Sequence, residues 1–246
     1  MGEFFAGDYH GQPFELFGAA HLAALAVVAL LTLYLLHFRR WAGEPARRAF
    51  RYGLAAVLLV DEAVWHWWHW AIGRWTVQEL LPLHLCSLFV FLCAIMLLNK
   101  SYAIFEFAYF LGIGGAMQAL ITPDAGIYGF PHFRFFQVFV SHGGIVIAAV
   151  YMTLVEGYRP TWKSLGRVAV GANLYMLAIG VVNYFLGSNY LFIARKPYTP
   201  SLLDVLGPWP WYILSMEGIG LALCLLLYLP FYLKDRKTSV LSAETA

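Results

Sequence analysis

Three side chains with acid–base chemistry stand at helical spacing within one apolar stretch. Glu62, His66 and His69 are four and three residues apart, which on a helix gathers a carboxylate and two imidazoles on one face. In the next apolar stretch His84 precedes Cys86 by two residues, so on a helix the pair points about 160° apart. That angle argues against His84 as the direct base for the Cys86 thiol. His142 follows 56 residues after Cys86, in an apolar stretch of its own. Gly143 and Gly144 come next, and their missing side chains let another helix or a lipid chain come close beside the imidazole. Other polar residues interrupt apolar runs: Asp61, Gln118, Gln137, Ser141, Asn183, Tyr184, Ser215 and Glu217.

Three chemistries compete for these residues. In the first, Cys86 is a nucleophile and His142 its base, with Gln118, Gln137 or Asn183 as oxyanion donors and Glu62 or Glu217 orienting the histidine. A thiol in apolar surroundings needs such a base to become a thiolate. In the second, Glu62, His66, His69, His84, His142 and Glu217 supply ligands for zinc or iron, as in metal-dependent intramembrane hydrolases. Seven-helix hydrolases of that kind place histidines on the last helix, where this chain has none, so neither a bound metal nor another cofactor is expected. In the third, carboxylates and histidines bind a solute in a cation-coupled transporter. No proline deep inside a helix and no internal repeat supports that reading. Plainer roles compete as well. Cys93 and Cys224 read as small hydrophobes, and Gly112, Gly114 and Gly115 as a helix-packing run. Trp65, Trp67, Trp68, Trp70, Trp75, Trp209 and Trp211 read as an interfacial belt, and His66 and His69 can simply be structural partners of Glu62.

These residues need a scaffold, and composition says which. Of 246 residues 61% are hydrophobic and 12% charged, and the mean hydropathy is +0.67. Soluble domains carry roughly 25% charged residues, so a soluble fold is excluded. The net charge of +2 and the lack of a basic patch give no sign of a nucleic-acid partner. Three cysteines, all within apolar segments, do not read as a disulfide framework. Glu3, Asp8 and Glu15 stand where a signal peptide would carry Lys or Arg. Spanning a bilayer takes about 20 apolar residues. Seven stretches qualify, near 17–38, 47–71, 80–98, 103–121, 133–155, 166–186 and 209–232. The expectation is an all-α, multi-pass membrane protein made of one seven-helix domain. Pro82 fits the first turn of helix three, Pro208 and Pro210 fit the start of helix seven, and 233–246 reads as a short flexible tail. The longest loop is 187–208.

Charge sets the orientation. Twelve of the sixteen Lys and Arg fall on one side: Arg39, Arg40, Arg47, Arg48 and Arg51, then Lys100, then Arg159, Lys163 and Arg167, then Lys234, Arg236 and Lys237. By the positive-inside rule that side is cytosolic, which puts the N-terminus outside and the C-terminus in the cytosol. The polar groups, ionisable ones among them, then fall in the outer half of six helices. Lipid does not accept them, so they are expected to face a shared cavity.

Several runs resemble a family. Leu81-Pro82-Leu83-His84-Leu85-Cys86 resembles the signature of the YwaF-type bacterial membrane proteins. So do Gln118-Ala119-Leu120-Ile121-Thr122-Pro123-Asp124 and the run from Phe130 through Phe133-Arg134-Phe135 to Ser141-His142-Gly143. Asn183-Tyr184, Gly187-Ser188-Asn189-Tyr190 and Leu206-Gly207-Pro208-Trp209-Pro210-Trp211-Tyr212 fit as well. The resemblance covers roughly residues 15–233 and extends to the eukaryotic transmembrane protein 164 group. That group is regarded as acyltransferases acting on lysophospholipids, notably ether lipids, through a cysteine and a histidine. By motif position the resemblance implies Cys86 and His142 for those roles. The reading is therefore a cell-membrane lipid acyltransferase or acyl hydrolase whose partners are phospholipids and lysophospholipids. His66, His69, His84, Gln118, Gln137, Ser141, Asn183, Tyr184, Glu62 and Glu217 are expected to line or orient its site.

Overall fold

Long apolar stretches fold as helices because in lipid only a helix satisfies its own backbone polar groups. The computed structural model describes residues 2–197 and 202–244. Among them it is all helical, with no strand. Seven helices run α1 (Ala19–Trp41), α2 (Glu44–Ala71), α3 (Leu85–Asn99), α4 (Tyr102–Ile121), α5 (Phe133–Leu154), α6 (Trp162–Leu186) and α7 (Trp211–Glu244). Five of them, α1, α4, α5, α6 and α7, are long and apolar enough to cross a membrane.

The two expected spans that fall short do so for different reasons. α2 has the length, at 28 residues, but carries Arg47, Arg48, Arg51, Asp61 and Glu62. α3 has only 15 residues, about 22 Å against a bilayer core of about 30 Å. It starts at Leu85 rather than at 80, because residues 81–84 form turns and an extended cap at His84. Pro82 accordingly lies ahead of the helix and not in its first turn. At the other end of the chain, α7 begins directly after Pro210, as expected. It continues past 232 to Glu244, where the sequence suggested a flexible tail, and holds Pro230, which falls near the end of the expected span 209–232. Residues 245–246, and 198–201 of the long loop, lie outside the described residues.

The expected single domain divides into two compact units, residues 1–158 and 159–246. In the first unit α5 is the core. It packs against α1, α2, α3 and α4, and most of its residues are buried. Glycine permits this. A Cβ on Gly143 would stand 2.8 Å from Val28 of α1, and one on Gly144 2.7 Å from Leu58 of α2. The neighbours that close in beside His142 are therefore helices. α4 holds a π-helical turn, Ala108–Gly112, where a Cβ on Gly112 would meet Ile145 at 3.2 Å and Phe89 at 3.4 Å.

The N-terminal segment folds back over the end of this unit where α2 stops and α5 starts. Trp68 donates to the Phe5 carbonyl at 2.9 Å, and Tyr128 to that of Gly7 at 2.8 Å. His132 caps α5 by accepting from the Arg134 amide at 3.0 Å through Nδ1, and Nε2 donates to the Ala6 carbonyl at 3.0 Å. In the second unit, Thr161 and Ser164 form a capping box at the start of α6, and Gly187 ends that helix in the left-handed conformation at φ 65°.

Candidate functional site

Two bonds fix the register of the helices that carry the site. Lys100, the residue that caps α3, reaches Glu156 just beyond α5, with Nζ 2.8 Å from Oε2. Arg51 of α2 donates to the Leu97 carbonyl of α3 at 3.3 Å. The three helices are therefore level at that end. Cys86 stands thirteen residues before Asn99 and His142 twelve before Leu154. Those counts are about 20 Å and about 18 Å at 1.5 Å per residue. Along the antiparallel pair, eleven residues separate Arg51 from Glu62 and Leu97 from Cys86 alike. The thiol, the imidazole and the Glu62 carboxylate thus share one level.

Cys86 is partly exposed, and its sulfur lies beside Gly115 of α4, where a Cβ would stand in ordinary contact at 3.7 Å from Sγ. The Glu62 carboxylate interacts electrostatically with this thiol. Glu62 is only 3% exposed. His66 Nε2 lies 3.4 Å from Glu62 Oε1 without hydrogen-bond geometry, so that buried oxygen has no hydrogen-bond donor. Trp75 donates to His66 Nδ1 at 3.0 Å, which leaves the imidazole proton on Nε2, facing Glu62.

His142 is held by its own helix. Nδ1 lies 2.7 Å from the Val138 carbonyl and 3.2 Å from Ser141 Oγ. A carbonyl only accepts, so Nδ1 carries the proton and Nε2 is left as the basic nitrogen. The expected orienting carboxylate is replaced here by a backbone oxygen. Behind it runs a polar chain. Gln137 Nε2 lies 3.5 Å from Ser141 Oγ and 3.5 Å from Asp61 Oδ2, and Gln137 Oε1 accepts from Arg134. Arg134 also donates to the Asp124 carbonyl at 3.0 Å and stands 4.3 Å over the Trp65 ring. No hydrogen bond among the described residues links Cys86 to His142.

The remaining expected residues scatter. His69 Nδ1 lies 3.1 Å from the Trp65 carbonyl and its ring packs on Trp65 and Trp68. His84 is the N-cap position of α3, and the Gln118 side chain is exposed. Asn183, Tyr184 and Glu217 belong to the second unit. There Asn183 staples a turn, accepting from Ser188 Oγ at 2.7 Å and the Tyr190 amide at 2.8 Å and donating to the Tyr190 carbonyl at 2.9 Å. Tyr184 is 83% exposed. Among the described residues no three His, Cys, Asp or Glu side chains converge as metal ligands would. The tryptophans also divide: Trp67, Trp70, Trp75, Trp209 and Trp211 are exposed, Trp75 while it donates to His66, whereas Trp65 and Trp68 serve the contacts above.

Sequence reasoning gave Arg134 no role in the site, although it lies in the run from Phe130 to Gly143 that carries the resemblance. Its spacing was the available signal, since it stands three residues before Gln137 and eight before His142, on one helical face. An all-helical scaffold with five helices apolar and long enough to cross a bilayer defines a membrane protein, and its first unit carries a thiol, an imidazole and a buried carboxylate on helices packed together. The chain belongs to the TMEM164 family, whose family model matches residues 16–228, which takes in all four helices of this site. Among curated proteins and among solved structures, nothing matches the chain.

Proposed function

We propose that the protein is a multi-pass cell-membrane lipid acyltransferase that works through a thioester on Cys86. The observation that supports this best is the shared level of Cys86, Glu62 and His142, with His142 Nδ1 committed to a backbone carbonyl and Nε2 free to act as base. His142 Nε2 takes the thiol proton as the sulfur attacks the carbonyl carbon of a phospholipid acyl ester. The ester C–O bond breaks, and the leaving lysolipid oxygen takes the proton back from His142. The acyl chain remains on sulfur. A second lysolipid then gives its hydroxyl proton to His142 while its oxygen attacks the thioester carbon. The C–S bond breaks and the thiolate recovers its proton. Water in place of the second lysolipid makes the same cycle a hydrolysis. Family membership is compatible with lipid chemistry of this kind.

The test is chain transfer from a fluorescent phospholipid to an added lysolipid by the purified protein in nanodiscs. Cys86→Ser and His142→Ala are expected to lose at least about a hundredfold in rate, the range for a lost nucleophile or general base. Cys93→Ser, seven residues further along α3, is expected to keep full activity. Equal rates in Cys86→Ser and the parent would exclude the thioester route, and a solute transporter would show no transfer at all.

A further inference from the structure

Asp61 and Glu62 are neighbours in sequence but serve different sides of α2. One residue turns a helix by about 100°, so while Glu62 points inward, Asp61 faces the seam between α2 and α5. A groove of about 410 Å³ lies there, lined by Val57, Val60, Val64, Phe133 and Val140, with Asp61 beside them. Val57, Val60 and Val140 are exposed, which in a membrane protein means exposed to hydrocarbon. Its volume falls at the lower end of the roughly 300–1,000 Å³ typical of ligand pockets. Apart from Asp61 its walls are apolar.

A carboxylate in such a place is costly and calls for a partner. Among the described residues Asp61 has a single hydrogen bond, the long one from Gln137 at 3.5 Å to Oδ2. Oδ1 therefore retains its full accepting capacity. The complement of this groove is one hydrocarbon chain carrying one hydrogen-bond donor. A neutral donor suits it better than a cation, because the Arg134 guanidinium already acts electrostatically on the same carboxylate. From Asp61 the polar chain runs through Gln137 and Ser141 to His142, so a hydroxyl held here stands at the outer end of the groups that position the base.

We propose that the α2–α5 groove binds the acyl acceptor, a single-chain lipid whose free hydroxyl donates to Asp61 while its chain lies along Val57, Val60, Val64 and Val140. This rests on the acyl-transfer reading above and assigns the acceptor a holding site apart from Cys86, which it leaves before its hydroxyl reaches His142 Nε2 and the thioester. The probes are radiolabelled oleoyl lysophosphatidylcholine and its analogue with the free hydroxyl capped as a methyl ether, bound at equilibrium to the full chain in nanodiscs. The parent is expected to hold the hydroxyl lipid about tenfold tighter, the effect of one hydrogen bond to a charged group. Asp61→Leu is expected to bind both lipids alike, and Val60→Trp to weaken both at least about tenfold by filling the groove. Cys86→Ser is expected to keep the parent's preference. Equal affinities in the parent, a preference that survives Asp61→Leu, or unchanged binding in Val60→Trp would each overturn the assignment. Acyl transfer measured on the same preparation separates the two readings. Transfer without hydroxyl preference removes the groove site and leaves the reaction, whereas preference without transfer keeps the site and removes the reaction.

Discussion

At the scale of single residues, His142 depends on what its helix does around it. The Val138 carbonyl fixes the tautomer, and Ser141 adds a second contact to the same nitrogen. Ser141→Ala is therefore expected to lower the transfer rate by less than about tenfold, with His142→Ala far more severe; rates compared at saturating lipid check this. The glycines after His142 make a sharper stability prediction. Gly144→Ala puts a methyl 2.7 Å from Leu58 Cδ2, an overpacking expected to cost about 1–3 kcal/mol. Gly114→Ala meets nothing within 4 Å and is expected to leave Tm unchanged or slightly higher. Thermal unfolding of the two variants beside the parent decides it. Much of this was legible: Cys86, His142 and the glycine pair stood out by type and spacing. Arg134 did not, because a charge at a helix start counts equally well as loop charge until the fold shows it beside Gln137 and Trp65.

At the scale of elements, the level of the thiol follows from where α3 ends, at Asn99, and not from where it starts. Read from its expected start near 80, α3 is a full span. Leu80, Leu81, Leu83 and Leu85 give no sign of a break, and the extended cap at His84 has no hydropathy signature. Arg51 and Lys100, read from the sequence only as cytosolic charges, form with Glu156 a clamp between helix ends. Burial alone would raise the Glu156 carboxyl. Hydrogen bonds from Lys100 and Tyr151, with the Lys100 and Arg51 charges, outweigh burial and hold it below its ordinary range. A depressed carboxyl contributes stability above its unfolded pKa, about 4.3, and that contribution is lost as pH falls through the lower folded value. The Tm of the parent is thus expected to fall as pH drops below about 4.3. Glu156→Gln is expected to melt lower at pH 7 and to show a shallower fall in acid. A Glu156→Gln curve parallel to the parent's throughout would remove the clamp from the account.

At the scale of the whole molecule, composition announced an all-helical membrane protein, and the seven stretches correspond one to one with the seven helices. The division at residues 158–159 was not legible, because the connection there is short and no linker composition marks it. The expected orientation rests on the assignment of twelve of the sixteen Lys and Arg to one side by a seven-span reading of the sequence. In a background lacking Cys86, Cys93 and Cys224, an impermeant thiol reagent added outside cells is expected to label Ala194→Cys and to spare Lys163→Cys; both positions are exposed. The reverse pattern would invert the topology and place the site in the inner half of the membrane. The central claim is chemical, and intact-mass analysis after incubation with a phospholipid of defined acyl chain tests it most directly. The parent and Cys93→Ser should each gain the mass of one acyl group, carried on the peptide containing Cys86 and released by neutral hydroxylamine as a thioester is. Cys86→Ser should gain none. No added mass on the parent under conditions where chains are transferred, or an adduct that persists in Cys86→Ser, would contradict the account.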